Sequence, residues 1–185
     1  MTSKNLIRLN KNPEGKNIDD CVIRAISKSE ERDYNEVLED ISSVLGPGET
    51  YQQSNINSKY LTDRGYKRFL GNFKTFQNMY GTRYGITTVN MAALLSQAIG
   101  KKVIVVTNSH MVACDTNGKF YDTWDSSRRR AMNLYIEDGD NFFKDIIKDE
   151  KYIINHWFER LPNGTVNLFK ELNIIASWKN GERIS

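Results

Sequence analysis

Apolar positions recur at helical spacing through the first hundred residues and at strand spacing after them. In "NIDDCVIRAIS" (17–27), Val22, Ile23 and Ile26 share one side, which predicts a helix over 21–27 with Asp19 or Asp20 as its cap. "DYNE" from Asp33 reads as an Asp cap with Glu three residues on. It opens a second helix carrying Val37, Leu38, Ile41, Val44 and Leu45, with Gly46 as the stop and Pro47 beyond. A weaker helix is predicted over 55–64, closing at Gly65. A fourth runs from about Thr88 through Met91, Leu94, Leu95 and Ile99 to Gly100.

The period then changes. "KKVIVVT" (101–107) is a β-branched run of the kind that forms a buried strand. In "HMVACDTNGKFYDTWD", Asn117-Gly118 separates two strand-like arms, a strong hairpin signal. "AMNLYIE" (131–137) reads as a further strand, "NFFKDIIKDE" (141–150) as helix, and "PNG" (162–164) as a turn. Helices first and strands second predict an α+β fold, with one domain over 1–185.

Composition narrows the function only a little. Hydrophobic residues make up 39% and charged residues 26%, ordinary for a globular chain. No apolar run approaches the ~20 residues of a membrane span, so no membrane partner is expected. The first residues lack a signal-peptide core, and two cysteines make no disulfide framework, so a reducing cytoplasm is expected. The net charge of +3 names no partner. Charge is uneven, however. From Lys59 to Lys102 the sequence holds eight Lys/Arg against Asp63 alone, interleaved with aromatics. Such a stretch is either a solvated face over an aromatic core or a surface for single-stranded nucleic acid.

Three residues combine into chemistry. Cys21 stands at a predicted helix N-terminus, His110 opens the first hairpin arm, and the return arm ends in "YDTWD" with Asp122 and Asp125. A thiol near neutral pH is mostly protonated, and an imidazole beside it can take the proton and leave a strong nucleophile. A carboxylate fixes the imidazole's tautomer and orientation. The helix N-terminus favours thiolate, whereas Asp19 and Asp20 oppose it unless their side chains point elsewhere. A two-residue turn at 117–118 sets His110 opposite Asp125. A three-residue loop with Gly118 left-handed instead puts Asp122 opposite Val112, on His110's side of the sheet. Spacing leaves both acids open.

This order resembles the papain-like fold cysteine peptidases of bacteria and their phages. The resemblance covers about residues 15–127, with 128–185 as an extension completing the sheet or cleft. "DDCVIRAIS" looks like the nucleophile helix, and "SHMVACDTNGKFYD" looks like the histidine strand and its hairpin. The resemblance implies N-terminal helices followed by a small antiparallel sheet built from 103–107, 110–115 and 119–124. It implies a hydrolase acting on a protein or peptide substrate without a cofactor or metal, in the host cytoplasm if the chain is phage-encoded. Family spacing, about a dozen residues after the histidine, favours Asp122 as the orienting acid. The family's glutamine six residues before the cysteine is replaced by Gly15, and Asn17 is the nearest polar substitute for the oxyanion hole. That departure, with the two neighbouring acids, motivates a rival reading: an inactive papain-like scaffold binding a protein, or nucleic acid through the 59–102 face. Of the remaining candidates, Cys114 reads as a packed strand residue, His156 as structural or surface, and Trp124 as a core or cleft-wall aromatic. Arg128-Arg129-Arg130 reads as a solvated run or a cleft lining.

Overall fold

The computed structural model describes residues 2–16, 18–70, 86–146, 156–170 and 173–185. Four helices are present among them: α1 (Cys21–Glu30), α2 (Tyr34–Ser43), α3 (Ser54–Asp63) and α4 (Val89–Ile99). The strands are β1 (Leu6–Arg8), β2 (Tyr66–Leu70), β3 (Val103–Val106), β4 (Met111–Cys114), β5 (Phe120–Asp122), β6 (Asn133–Glu137), β7 (His156–Arg160), β8 (Val166–Lys170), β9 (Asn173–Lys179) and β10 (Glu182–Arg183). The fold is mixed α+β, as the pattern predicts.

Local chemistry accounts for the helix boundaries. The Asp33 carboxylate accepts from the N–H groups of Asn35 (2.8 Å) and Glu36 (3.4 Å) and starts α2. The Thr88 hydroxyl accepts from Met91 N–H at 3.2 Å and starts α4. α1 runs one turn past its predicted end and stops where Glu31 turns left-handed.

The sheet corrects the sequence expectation. It is not small and antiparallel: ten strands lie in the order β1-β5-β4-β3-β6-β2-β7-β8-β9-β10, and two pairings, β1 with β5 and β2 with β7, are parallel. β1 precedes the helices and β2 falls between α3 and α4, so the helices-then-strands division is too simple. β6, from the region beyond 127, lies in the middle of the sheet. In the stretch expected to be helical at 141–150, residues 142–146 form turns and 147–150 lie outside the described residues.

Both faces of the central strands are covered, which explains the unbroken apolar run of β3. Ile104, Met111, Ala113 and Tyr135 pack with Val22, Ile23 and Ile26 of α1 and with α2 and α3. Val103, Val105, Val112 and Leu134 face the other way, into α4 and the late-strand residues Val166, Leu168 and Trp178. The sheet therefore curls around α4, which touches β3, β4 and β5 as well as β8, β9 and β10. The curl closes tightly where α4 ends. Gly181 N–H donates to Ala98 O at 2.7 Å, and Gly100 has φ +67°.

A methyl group at Gly100 would stand 3.1 Å from the Gly181 Cα and would occupy the left-handed region. Gly100→Ala should therefore cost about 1–3 kcal/mol and lower the melting temperature by several degrees. Gly139→Ala, with nothing within 4 Å of the added carbon, should stay within about 0.5 kcal/mol of the parent. Paired thermal melts check both.

Candidate active site

Cys21 is the first residue of α1, and α1 packs on β3 and β4. His110 is the last residue before β4, held in a tight turn where the Thr107 N–H donates to His110 O at 2.8 Å. Asp122 ends β5. These elements bring the three side chains together. His110 Nε2 and Asp122 Oδ2 are 2.7 Å apart, and Cys21 lines the same pocket, near enough to raise the imidazole's proton affinity. With Nε2 taken by Asp122, Nδ1 is the nitrogen left for the sulfur.

The hairpin register decides which acid takes part. Cys114 pairs with Phe120 and Ala113 with Tyr121, and Gly118 has φ +74°, the glycine-bulged three-residue loop. Asp122 then faces the same side of the sheet as His110. Asp125 is turned away: its carboxylate accepts from Ser3 N–H (2.8 Å) and Ser127 N–H (3.1 Å). Asp122 is only 5% exposed and fully occupied, accepting from Ser126 Oγ at 2.5 Å and from Thr123 N–H at 2.7 Å. On the outer side, β1 holds β5 in place, with Leu9 N–H donating to Asp122 O at 3.0 Å.

Burial alone would lower the His110 pKa. The hydrogen bonds and charges of Asp122 and Cys21 outweigh it and raise the pKa from 6.5 to about 9. The imidazole therefore carries its proton at neutral pH. The Trp124 ring lies against it, with centroids 5.2 Å apart. Cys114, by contrast, is buried, and burial pushes its thiol up.

The two acids beside the sulfur are disposed of separately. Asp20 occupies the cap position but makes no side-chain cap bond. Its carboxylate lies 3.0 Å from Arg24 Nε and accepts from Asn12 Nδ2 and Tyr34 OH, each at 2.9 Å. Asp19 is exposed, and its carbonyl accepts from Gln52 Nε2 at 2.8 Å. Among the described residues, no side chain caps the first N–H groups of α1, nearest the sulfur. Asn17 lies outside the described residues.

A cleft of about 670 Å³ opens beside Cys21 and His110. Gln52, Ser54 and Asn57 line one wall, and Thr107, Asn108 and Met132 line the other. Gln52 and Ser126 carried no signal in the sequence that tied them to the site. Ser126 stands four residues after Asp122 in "DTWDS", a spacing a tight loop can close, but nothing marks it as the acid's partner. His156 is buried in β7. Among the described residues no group of three or more His, Cys, Asp or Glu could hold a metal ion, and no helix is long and apolar enough to cross a membrane.

The basic 59–102 stretch is described in part. Arg64 pairs with Glu30, Lys59 with Asp63, Lys67 with Asp138, Lys101 with Asp140 and Lys102 with Glu31. Tyr60, Tyr66 and Phe69 are buried. Phe73, Lys74, Phe76, Tyr80, Arg83 and Tyr84 lie outside the described residues.

Because the His110 pKa is raised on folding, its stabilising contribution is complete below pH 6.5 and is lost as pH rises through about 9. Asp122→Asn removes the partner and should lower that pKa, as an NMR titration of the imidazole would read. The melting-temperature gap between the parent and Asp122→Asn should be widest below pH 6.5 and narrow toward pH 9. A His110 that titrates alike in both proteins would contradict this.

No protein-family model, no curated protein and no solved structure matches this chain. The site's own geometry carries the functional reading.

Proposed function

We propose that the protein is a cysteine-dependent hydrolase of papain-like type, a peptidase or isopeptidase that cleaves an amide through an acyl-enzyme. The observation that carries this reading is the His110 imidazole, held by Asp122 at 2.7 Å and lining one cleft together with Cys21. The chain order Cys-His-Asp, with the sulfur in the first turn of a helix packed on the histidine's strand, supports the papain-like assignment.

The chemistry runs as acyl transfer. The Cys21 sulfur, its proton held by His110, adds to the amide carbonyl carbon, and the C=O electron pair moves onto oxygen. The Cys21 backbone N–H, in the uncapped first turn of α1, is a donor to that oxyanion, and Asn17 is the second donor the sequence nominates. Collapse breaks the C–N bond while the imidazolium gives its proton to the departing amine. Neutral His110 then takes a proton from water, the hydroxide adds to the thioester carbonyl, and the C–S bond breaks. Asp122 holds the imidazole in register throughout and stabilises its charged form. Nucleic-acid binding through 59–102 has weaker support, because Lys59, Arg64, Lys67, Lys101 and Lys102 are tied to carboxylates and Tyr60, Tyr66 and Phe69 are buried.

Iodoacetamide near neutral pH should alkylate Cys21 at least about tenfold faster than buried Cys114, read by mass spectrometry of each peptide. Cys21→Ala should abolish hydrolysis of a casein or peptide-library substrate. Asp122→Asn should lower kcat by about two to four orders of magnitude, while Asp125→Asn should stay close to the parent. Equal, slow labelling of the two cysteines would sink the proposal.

A further inference from the structure

The surroundings of the reactive pair differ sharply in charge from one side to the other. Among the described residues lining the large cleft beside Cys21 and His110, Asp19 is the one acid and no lysine or arginine is present; the other polar walls are neutral amides and hydroxyls. On the opposite side, beyond His110, cations gather around Thr123 and Trp124. Arg8 Nη1 donates to Thr123 O at 2.9 Å, and Arg24 Nη1 donates to Thr123 Oγ1 at 3.3 Å. The Arg129 guanidinium lies over the Trp124 ring, 5.2 Å from its centroid, and Trp124 in turn lies against His110. Arg128 and Arg130 are exposed in the same loop. Lys11 and Lys28 add two more charges where this surface reaches Cys21.

Arg24 is balanced by buried Asp20, but the loop arginines and Arg8 are not balanced in that way. Among the described residues, no ion pair joins Arg8, Arg128, Arg129 or Arg130 to an acid, whereas Arg32, Lys59 and Arg64 near α1–α3 are paired. Asp125, the nearest acid in the chain, has its carboxylate turned to the Ser3 and Ser127 amides. Trp124 is 37% exposed, so the patch offers an apolar face as well as charge. Stacking on Trp124 pre-organises the Arg129 fork, which lowers the entropy lost when it grips a carboxylate.

We infer that this surface selects substrate: the hydrolase takes a polypeptide whose chain passes from the neutral cleft over Cys21 to an acidic segment held against Trp124 and the loop arginines. The inference rests on the reading of Cys21 and His110 as a hydrolytic pair. An acidic polypeptide is favoured over nucleic acid because the cations flank a site suited to an amide carbonyl. Among the described residues of the patch, Trp124 is also the one exposed aromatic on which bases could stack.

The test measures binding in the Cys21→Ala protein, so it does not depend on turnover. The probes are a fluorescein-labelled Glu-rich peptide, its Gln-substituted counterpart, and single-stranded poly(U). The Glu-rich peptide should bind about tenfold tighter than the Gln peptide at low salt, with the advantage shrinking as salt screens it. Arg128→Glu with Arg129→Glu should remove that advantage, while Lys179→Glu, the same kind of change on a remote strand, should keep it. If the double variant fails to fold, Arg129→Gln should still weaken the Glu-rich peptide selectively. Equal affinity for the two peptides, or an advantage that survives the arginine changes, overturns the inference. So does tighter, arginine-dependent binding of poly(U). Failure of Cys21 to react with iodoacetamide would count against the hydrolase reading alone, because the peptide preference is measured without the thiol.

Discussion

One extra residue in the turn between β4 and β5 decides which face of the sheet Asp122 occupies. Side chains alternate along a strand, so a shift of one residue in pairing would send the carboxylate to the opposite face of the sheet, away from His110. The three-residue loop is held by the Asp115 carboxylate, whose Oδ1 accepts from the N–H groups of Asn117 and Lys119, each at 3.0 Å. Its other oxygen accepts from Tyr121 OH at 2.7 Å, tying the turn to the returning strand. Gly118 supplies the left-handed residue that the bulge needs. From the other edge, β1 pairs Leu6 with Phe120 and Arg8 with Asp122, so the strand carrying the acid cannot slip without breaking two ladders.

This constraint also marks where the sequence stops being informative. Caps and periodicity are local, and Asp33, Thr88 and Gly100 act where their side chains or backbone freedom predict. The hairpin was legible in the same way, because Asn117-Gly118 is a short-range signal. Whether the turn holds two residues or three was not legible, because both loops suit the same dipeptide and the choice depends on Asp115 and β1. Candidate chemistry was therefore readable as Cys21, His110 and one of two acids, and no further.

The missed strands share a physical cause. β1 has three residues, two of them exposed, and its partner lies more than a hundred residues away in a parallel pairing no local pattern encodes. β2 reads "YKRFL", two charges between aromatics, and gains strand character only when inserted between β6 and β7. β9 begins with exposed residues and buries Ala176, Ser177 and Trp178 only where the sheet curls onto α4. Long-range pairing made these segments into strands, against weak local preference.

The acids beside the cysteine, which at first argue against a nucleophile, acquire a different meaning once their partners are known. A carboxylate at the start of a helix ordinarily accepts from the first free N–H groups and would sit close to the sulfur's developing charge. Asp20 does neither. It is wholly buried, with its carboxylate gripped by Arg24 one turn along the same helix and by Asn12 and Tyr34. Burial and the Asp20 charge both raise the Tyr34 phenol pKa, so that hydroxyl stays a donor. A buried carboxylate without such partners would cost several kcal/mol. With them, its charge is balanced within α1, and the helix-start amides remain open to whatever oxygen the sulfur's reaction creates. The residue that looks like an electrostatic obstacle to Cys21 is thus what keeps the positive end of α1 available to it.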